Sequence, residues 1–304
     1  MGQKTHTTEP HYLTHYLTLT SQLVVSLRLT IQSSRAIITT MIVDCHTHIT
    51  CPGSGLAPTD HLAALDKVDV CFVLPSPDGA SSRDANRAVS QYVGQHKTRM
   101  VGLAVVNPLT DIVGVKHLTY LRRDLGLQGI VLYCSEFGCH PANSRALRLY
   151  EAAQELKMPV FFHNGAPLSP TAVMEYAQPF LLDEVARRFP SLTIVVGSMG
   201  RPFIEQTIGL VEKHKNVYAD ITMSPKRVWQ VYTTILSAYE REVMGKLLYG
   251  SGFPLGSPQA YIETLLGLHR LLADTNLPVV PREVIRGVIE QDAIRLLGLN
   301  VAGK

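Results

Sequence analysis

The chain has 304 residues, of which 46% are hydrophobic and 17% are charged, so a large buried core is feasible and intrinsic disorder is not expected. Its formal net charge of +3 is small, and the sequence has no basic run interleaved with aromatic residues that would indicate a nucleic-acid partner. It also lacks a stretch of about 18 uncharged apolar residues, so neither a membrane-spanning helix nor a membrane partner is expected.

The first segment, residues 1–40, differs in composition from the rest of the chain. It is rich in Thr and Ser, it contains the single acid Glu9, and its arginines are Arg28 and Arg35. A hydroxyl-rich segment with few acids resembles a transit peptide in composition, and the alternative is an upstream extension that is not part of the fold. In both cases we expect a leader at 1–40 outside the core, one domain at 41–299 and a tail at 300–304.

The core is predicted to begin with a strand at Met41–Ile49 that ends in two histidines. Side chains two residues apart on a strand share a face, so His46 and His48 should project together, with Asp44 one step lower on the same face. Two imidazoles on one rigid strand make half of a transition-metal site. The pattern is short, and two ordinary polar residues at a strand end remain the alternative.

Strands and helices alternate along the rest of the chain. Apolar runs bounded by Pro, Gly or polar residues predict further strands at Val70–Leu74, Met100–Val106, Gln128–Tyr133, Val160–Phe162, Leu192–Val196, Asn216–Ile221 and Lys246–Tyr249. Helical patterns cover Asp60–Lys67, Ser82–His96, Ile112–Leu125, Asn143–Lys157, Thr171–Phe189, Phe203–His214, Lys226–Met244, Pro258–Ala273 and Arg282–Leu297. Eight strands that alternate with helices indicate an α/β fold, the closed (β/α)₈ TIM barrel. The alternative, an open doubly wound sheet, requires a Gly-rich phosphate turn after the first strand, and Cys51–Gly55 does not have that form.

In a (β/α)₈ barrel the chemistry lies at the C-terminal ends of the strands, which is where this sequence places its polar candidates. The histidines at these ends are His46, His48 and His163. The carboxylates at these ends are Asp78, Glu136 and Asp220, each of which is more often a solvated or capping group than a metal ligand. Arg201 starts the helix after the sixth strand, where it could bind a substrate carboxylate or lie at the surface.

The five cysteines are odd in number and include no Cys-x-x-Cys pair: Cys45, Cys51, Cys71, Cys134 and Cys139. This usage argues against a disulfide framework and favours a reducing compartment, so we expect a cytoplasmic protein. Cys134, Cys139 and His140 could in principle bind a metal, but their spacing fits no common zinc pattern.

Three motifs in this order resemble the amidohydrolase superfamily: the strand-end His-x-His, the histidine of Phe162-His163-Asn164-Gly165, and Gly250-Ser251-Gly252-Phe253-Pro254. The sequence is similar in particular to the amidohydrolase-related group that contains aminocarboxymuconate semialdehyde decarboxylase. The resemblance covers about residues 41–299 and includes the ending Ala293–Leu299. It implies a barrel that holds one divalent metal, usually Zn²⁺, with His46, His48 and His163 as ligands.

The chain departs from that group at two turns. The group has a proton-handling histidine in a Gly-His-x-Gly turn after strand six, and an aspartate in Gly-Ser-Asp-x-Pro after strand eight. Here Gly197-Ser198-Met199-Gly200 carries Ser198 instead of the histidine, and Gly252 replaces the aspartate. Three histidines still meet the ligand count of a catalytic zinc site, but neither replacement can transfer a proton near neutral pH.

Two functions therefore stay open. One is a metal-dependent hydrolase or carboxy-lyase that acts on a small carboxylated substrate with impaired proton transfer. The other is a catalytically degenerate barrel that binds a metal or a small ligand without turnover. Both predict a small-molecule partner and are compatible with a homo-oligomer. If the site still holds a metal, we expect Ser198→His together with Gly252→Asp to raise the activity.

Overall fold

The computed structural model describes residues 41–49, 58–76, 81–163, 168–254 and 256–303. Contacts within Met41–Lys304 form one compact unit. The predicted leader at 1–40 lies outside the described residues, as do Cys51 and Asp78. In the described ranges no helix is long and apolar enough to cross a membrane.

The described residues form eight parallel strands, each hydrogen-bonded to the next in chain order. The strands are β1 (Val43–Ile49), β2 (Val70–Pro75), β3 (Met100–Val105), β4 (Leu127–Leu132), β5 (Val160–Phe162), β6 (Ile194–Val196), β7 (Val217–Asp220) and β8 (Leu247–Leu248). The α-helices are α1 (Pro58–Ala64), α2 (Ser82–Gly94), α3 (Val115–Arg123), α4 (Ser144–Glu155), α5 (Leu182–Arg188), α6 (Ile204–Lys213), α7 (Val228–Glu240), α8 (Pro258–Leu271), α9 (Arg282–Ile289) and α10 (Ala293–Leu297). This alternation confirms the predicted (β/α)₈ barrel.

The barrel closes between β1 and the segment that follows β8. The backbone N–H of Cys45 donates to the carbonyl of Tyr249 at 2.8 Å, and the N–H of Gly252 donates to the carbonyl of His46 at 2.9 Å. These bonds place the turn that carries Gly252 directly beside the strand that carries His46. Closure therefore brings the first and last predicted motifs together.

Two apolar layers hold the barrel, and alternate residues of a strand belong to different layers. On β2, Val70, Phe72 and Leu74 pack with residues of the other strands, whereas Cys71 and Val73 pack with residues of the surrounding helices. Successive side chains of a strand point to opposite faces, and in a closed barrel one of these faces is the interior. The continuous apolar run of β2 is thus explained by burial on both faces.

The helix predicted at Thr171–Phe189 is not continuous. The structure has two 3₁₀ turns, Met174–Ala177 and Pro179–Leu181, and an α-helix only from Leu182 onward. Proline has no backbone N–H and clashes with the preceding turn of an α-helix, so a helix cannot run through Pro179 without a break. The apolar spacing of this segment was compatible with a helix, and the proline overrides it.

The helix predicted at Arg282–Leu297 is also divided, into α9 and α10. The side chain of Asp292 accepts a hydrogen bond from the backbone N–H of Arg295 at 3.0 Å. An aspartate in this position caps the N-terminus of a new helix. The division therefore has a local cause that the apolar periodicity does not show.

Strand β1 contains an irregularity between Asp44 and Thr47, in the stretch that carries the predicted metal ligand His46. Asp44 is in register with Cys71 of β2, but His48 is in register with Leu74, so β1 has one more residue in this interval than β2. An extra residue of this kind is a β-bulge, and it reverses which face the following side chains occupy. Cys71 packs toward the helices and Leu74 toward the interior. The prediction that Asp44 shares the face of His46 and His48 is therefore wrong.

Candidate metal centre

Three histidines meet at the C-terminal ends of β1 and β5. The Nε2 atom of His46 lies 3.2 Å from Nε2 of His48 and 2.7 Å from Nε2 of His163. Among the described residues these three form the one group of His, Cys, Asp or Glu whose ligand atoms all lie within 4.8 Å of one another. The structure thus brings together the three histidines that the sequence singled out.

The second ring nitrogens of two of these histidines have hydrogen-bond acceptors. The Nδ1 of His46 lies 2.9 Å from Oδ2 of Asp220, and the Nδ1 of His48 lies 3.0 Å from the carbonyl oxygen of Leu74. A carbonyl or an ionised carboxylate can only accept, so the proton of each ring is assigned to Nδ1 and the lone pair to Nε2. The lone pairs of His46 and His48 consequently face the shared space between the rings.

Burial keeps two of the imidazoles neutral. Desolvation, followed by the nearby His46, lowers the pKa of His48 to about 3. Desolvation also lowers the pKa of His163 well below its usual value, and the other two histidines add to this effect. Neutral imidazole is the form that binds a metal ion.

The donor set fits a divalent transition metal. The lone pairs of His46 and His48 face each other across 3.2 Å and repel unless a proton or a cation lies between them. Zinc binds imidazole nitrogen at about 2.0–2.1 Å, so two nitrogens around a tetrahedral ion lie roughly 3.3 Å apart. The His46–His48 separation is close to this value, and His163 would need to shift by about half an ångström. The Nδ1 of His163 is buried and has no hydrogen-bond partner in the described part of the chain, so the protein does not restrain this ring through that atom.

A glycine makes room for the ligand on β1. A Cβ atom added at Gly250 would lie 2.3 Å from Oγ1 of Thr222 and 2.8 Å from Cβ of His46. Contacts this short would force the backbone apart, so only glycine permits β8 to approach β1 and β7 so closely. The conformation of His46 thus depends on a residue at the opposite end of the sequence.

Asp220 is fully buried at the end of β7 and touches the histidine cluster through His46. Its Oδ1 accepts hydrogen bonds from the backbone N–H groups of Ser198 at 2.8 Å and Thr222 at 3.1 Å. Burial raises the pKa of Asp220, but the electrostatic interaction and hydrogen bond with His46 and the bonds from Thr222 and Ser198 outweigh it, so this pKa lies below its usual value. Both carboxylate oxygens are engaged, and Asp220 does not act as a direct ligand in this arrangement.

The other two described candidate carboxylates, Asp44 and Glu136, make no hydrogen bond to the histidine rings. Asp44 accepts hydrogen bonds from the backbone N–H groups of His46 at 3.2 Å and Ser251 at 2.9 Å, and burial raises its pKa to about 6. Glu136 accepts from the backbone N–H and the hydroxyl of Ser169, which ties the loop after β4 to the loop after β5. Asp78 is outside the described residues.

The cysteine-containing alternative for a metal site is wrong. Cys134 and Cys139 are buried free thiols, and Nδ1 of His140 accepts a hydrogen bond from the backbone N–H of Ala142 at 3.0 Å. Within the described ranges, these three residues do not form a group with converging ligand atoms.

A cavity of about 600 Å³ opens above the histidines. Ser198 and Gly252, the two replaced positions, are both part of its wall. Two arginines, Arg201 and Arg227, also line it, and no acidic residue occurs among the lining residues that the structure describes. The predicted substrate contact Arg201 therefore lies in the same cavity as the histidines.

Arg201 is partly buried, and its Nε atom has no hydrogen-bond partner in the described part of the structure. Burial lowers the pKa of its guanidinium, and Arg227 lowers it further. A guanidinium nevertheless remains charged in proteins. The cavity wall therefore carries a cation whose Nε has no hydrogen-bond partner among the described residues. Arg227 was missed in the sequence because nothing in its local context distinguishes it from a surface residue at a helix start.

The two replaced turns differ in their backbone geometry. Ser198 has φ 52 and Met199 has φ 52, so a residue with a side chain already occupies the left-handed region after β6. Gly252 has φ +68, and a Cβ added there would lie 2.5 Å from Cγ2 of Thr222. Thr222 thus fills the space into which a side chain at 252 would begin to project. The gain in activity expected from Ser198→His together with Gly252→Asp stays a prediction, and the aspartate at 252 meets a steric cost against Thr222.

Comparison with known proteins identifies the family to which this chain belongs. A sequence profile described as amidohydrolase matches residues 43–299. No curated protein sequence matches the chain. The 5-carboxyvanillate decarboxylase from Sphingomonas paucimobilis is similar in structure, with a TM-score of 0.65 at 14% identity over 86% of this chain and 100% of that one.

Two further solved structures show the same fold. A probable 2-pyrone-4,6-dicarboxylic acid hydrolase from Acinetobacter baumannii, with citric acid bound, has a TM-score of 0.60 at 16% identity over 85% of this chain and 99% of that one. A dihydroxybenzoic acid decarboxylase from a Polaromonas species, with bound manganese and an inhibitor, has a TM-score of 0.59 at 15% identity over 87% of this chain and 98% of that one. Since the profile spans nearly the whole described unit, the chain belongs to the amidohydrolase family.

Proposed function

We propose that this protein is a metal-dependent hydrolase or carboxy-lyase that acts on small carboxylated ring compounds. The observation that carries the proposal is the position of His46, His48 and His163 in the wall of a cavity that has two arginines and, among its described residues, no acid. The similar structures support it, because they are named for a carboxyvanillate, a pyrone dicarboxylate and a dihydroxybenzoate.

The cavity supports the substrate class by its size and its chemistry. About 600 Å³ is within the range of small-molecule sites. Leu168, Met174, Pro202 and Met223 supply apolar surface for a ring, and Arg201 supplies a charged fork for a carboxylate. A partly buried guanidinium whose Nε has no partner among the described residues is stabilised when an anionic ligand provides one.

His46, His48 and His163 would hold the divalent metal, which we propose to be zinc because imidazole sites favour zinc and its neighbours. When bound, such an ion acts as a Lewis acid that polarises a carbonyl or carboxylate oxygen of the substrate. The protein's part is to keep the imidazoles of His48 and His163 neutral, to orient the substrate carboxylate through Arg201 and to surround the substrate ring with apolar side chains.

This chemistry requires proton transfer, and the replaced positions provide no group for it. That lack favours the second candidate function, binding without turnover. Ser198 does not titrate near neutral pH, and Gly252 has no side chain. Apart from the histidines and arginines, no described residue of the cavity wall has an acidic or basic side chain. A positioned acid or base contributes roughly 10²–10⁴-fold in rate, so we expect turnover to be slower than in relatives that retain both groups.

Metal content is the first test of the proposal. Purified protein supplied with zinc or manganese should retain close to one ion per chain in elemental analysis, and His46→Ala with His48→Ala should abolish this retention. His140→Ala is the matched control, because this histidine belongs to the described residues outside the cluster, and it should leave the metal content unchanged. A wild-type protein that stays free of metal would refute the metal-dependent function.

Substrate recognition is tested with a panel of aromatic and pyrone carboxylates, assayed for carbon dioxide release and for ring hydrolysis. Arg201→Gln should weaken binding of a carboxylated ligand by about 10-fold or more, because a hydrogen bond to a charged group contributes roughly 1.5–3 kcal/mol. Binding of the corresponding carboxamide should change little. The control Arg187→Gln removes an exposed arginine that pairs with Asp183 on α5, and it should have no effect on either ligand. Binding without any product would favour the second candidate.

A further inference from the structure

Asp220 has three hydrogen-bond donors and no contact with solvent. Its Oδ2 accepts from Nδ1 of His46 at 2.9 Å, and its Oδ1 accepts from the backbone N–H groups of Ser198 at 2.8 Å and Thr222 at 3.1 Å. The side chain is 0% exposed. Since all three partners donate, the site requires a group that accepts on both of its oxygens.

We infer that Asp220 is the positioning residue of the metal centre: it holds the proton of His46 on Nδ1, so that Nε2 is free to bind a cation, and it supplies the negative charge that Gly252 cannot. The inference rests on the proposed metal-binding function. A carboxylate that accepts from the distal nitrogen of a ligand histidine fixes the tautomer and raises the basicity of that ligand. Here the same carboxylate is also the one described acid in hydrogen-bond contact with any ring of the cluster.

The hydrogen-bond pattern predicts what an amide would do in this position. Asparagine has one acceptor oxygen, and the two backbone N–H groups of Ser198 and Thr222 would hold that oxygen at the Oδ1 position. The amide NH₂ would then face Nδ1 of His46. Two donors cannot share a hydrogen bond, so the imidazole would move its proton to Nε2 and lose the lone pair that binds metal.

Asp44 provides a matched control. It too is a fully buried carboxylate, at the second residue of β1, and it accepts from two backbone N–H groups, including that of His46. It makes no hydrogen bond to an imidazole ring in the described structure. Asp44→Asn therefore removes a comparable buried charge without changing the donor or acceptor role of Nδ1 of His46.

The experiment compares the zinc affinity of wild type, Asp220→Asn and Asp44→Asn by competition with a chromophoric chelator. Asp220→Asn should weaken zinc binding by about 10–100-fold, the usual effect of losing such a partner, and Asp44→Asn should stay within about threefold of wild type. Thermal melting of the metal-free proteins shows whether both variants fold. Equal zinc affinity of wild type and Asp220→Asn would overturn the inference while leaving the proposed metal-dependent function intact.

A second measurement tests the inference on the wild type alone, and the variant extends it. In metal-free wild-type protein labelled with ¹⁵N at histidine, the ring shifts of His46 should show a protonated Nδ1 and an unprotonated Nε2, and Asp220→Asn should reverse this pattern. The opposite tautomer in the wild type would overturn the inference even if Asp220→Asn fails to fold. A wild type that binds no zinc at all would overturn both the inference and the metal-dependent function.

Discussion

Ser198 and Gly252 stand where the resemblance to the amidohydrolase-related group implies a histidine and an aspartate, and the two positions differ in their surroundings. Ser198 already has a side chain in a left-handed conformation and faces the cavity, so a larger side chain can be built from the same backbone. At Gly252 the φ of +68 disfavours any side chain, and Thr222 occupies the adjacent space. Restoration of the strand-eight aspartate therefore requires a change at Thr222 as well.

The steric part of this argument can be measured as a coupling between two residues. Gly252→Ala should lower the free energy of unfolding by about 1–3 kcal/mol, since it combines overpacking against Thr222 Cγ2 with backbone strain. Thr222→Ser removes Cγ2, so in that background the same substitution should cost less, by about 0.5 kcal/mol or more in urea unfolding. Gly209→Ala on α6, where a new Cβ would meet nothing within 4 Å, is the control and should not destabilise. Purely additive costs would show that Thr222 does not block position 252.

Three elements are tied together beneath the metal centre by one buried histidine. The Nδ1 of His61, on α1, accepts from the hydroxyl of Tyr92 on α2 at 2.8 Å, and its Nε2 donates to Oγ1 of Thr47 on β1 at 2.9 Å. Thr47 in turn donates to the carbonyl of Phe72 on β2 at 2.6 Å. Because Thr47 lies between His46 and His48, this chain of bonds supports the backbone that carries both of them.

This connection predicts a dependence of stability on pH. Burial, followed by the nearby His96, lowers the pKa of His61 to about 4. The unfolded chain binds a proton here below about pH 6.5, whereas the folded protein does not until about pH 4, so stability is full above this window and falls as the pH is lowered through it. The loss from this residue amounts to at most about 3 kcal/mol.

The check is the free energy of unfolding of metal-free protein between pH 7 and pH 4.5. His61→Gln should reduce the slope with pH, although His48 and His163 contribute in the same direction and will leave part of it. His140→Gln serves as the control. If His61→Gln and the wild type lose stability in parallel, His61 is not the buried neutral group that its contacts indicate.

At the scale of the whole molecule, the described contacts of Met41–Lys304 form one compact unit, and the family profile begins at residue 43. A protein that starts at Met41 should therefore melt within a few degrees of the full chain in calorimetry, and it should retain the same metal content. The physical reason is that β1, which begins at Val43, is hydrogen-bonded to β2 on one side and to the segment after β8 on the other. A much lower melting temperature, or insolubility of the shorter protein alone, would show that residues 1–40 contribute to the fold.

The local pattern of residues was sufficient for the architecture and for the identity of the cluster. Apolar runs with turn residues between them predicted eight strands, because burial on both faces of a strand leaves a continuous signal in the sequence. His46, His48 and His163 were recognisable because a (β/α)₈ barrel brings all C-terminal strand ends to one face. The helix breaks at Pro179 and Asp292 could have been predicted from the same local rules, since proline and a capping aspartate act within one turn.

What the tertiary structure decided depends on contacts between distant parts of the chain. His46 and Asp220 are 174 residues apart, and nothing in either segment indicates that the carboxylate would bind the histidine rather than the metal. The face of Asp44 depended on a bulge that appears only when β1 is aligned with β2. The obstacle at Gly252 is a methyl group of Thr222 on a neighbouring strand end. Register and side-chain contact between strands are properties of the closed barrel, because only closure sets which residues become neighbours.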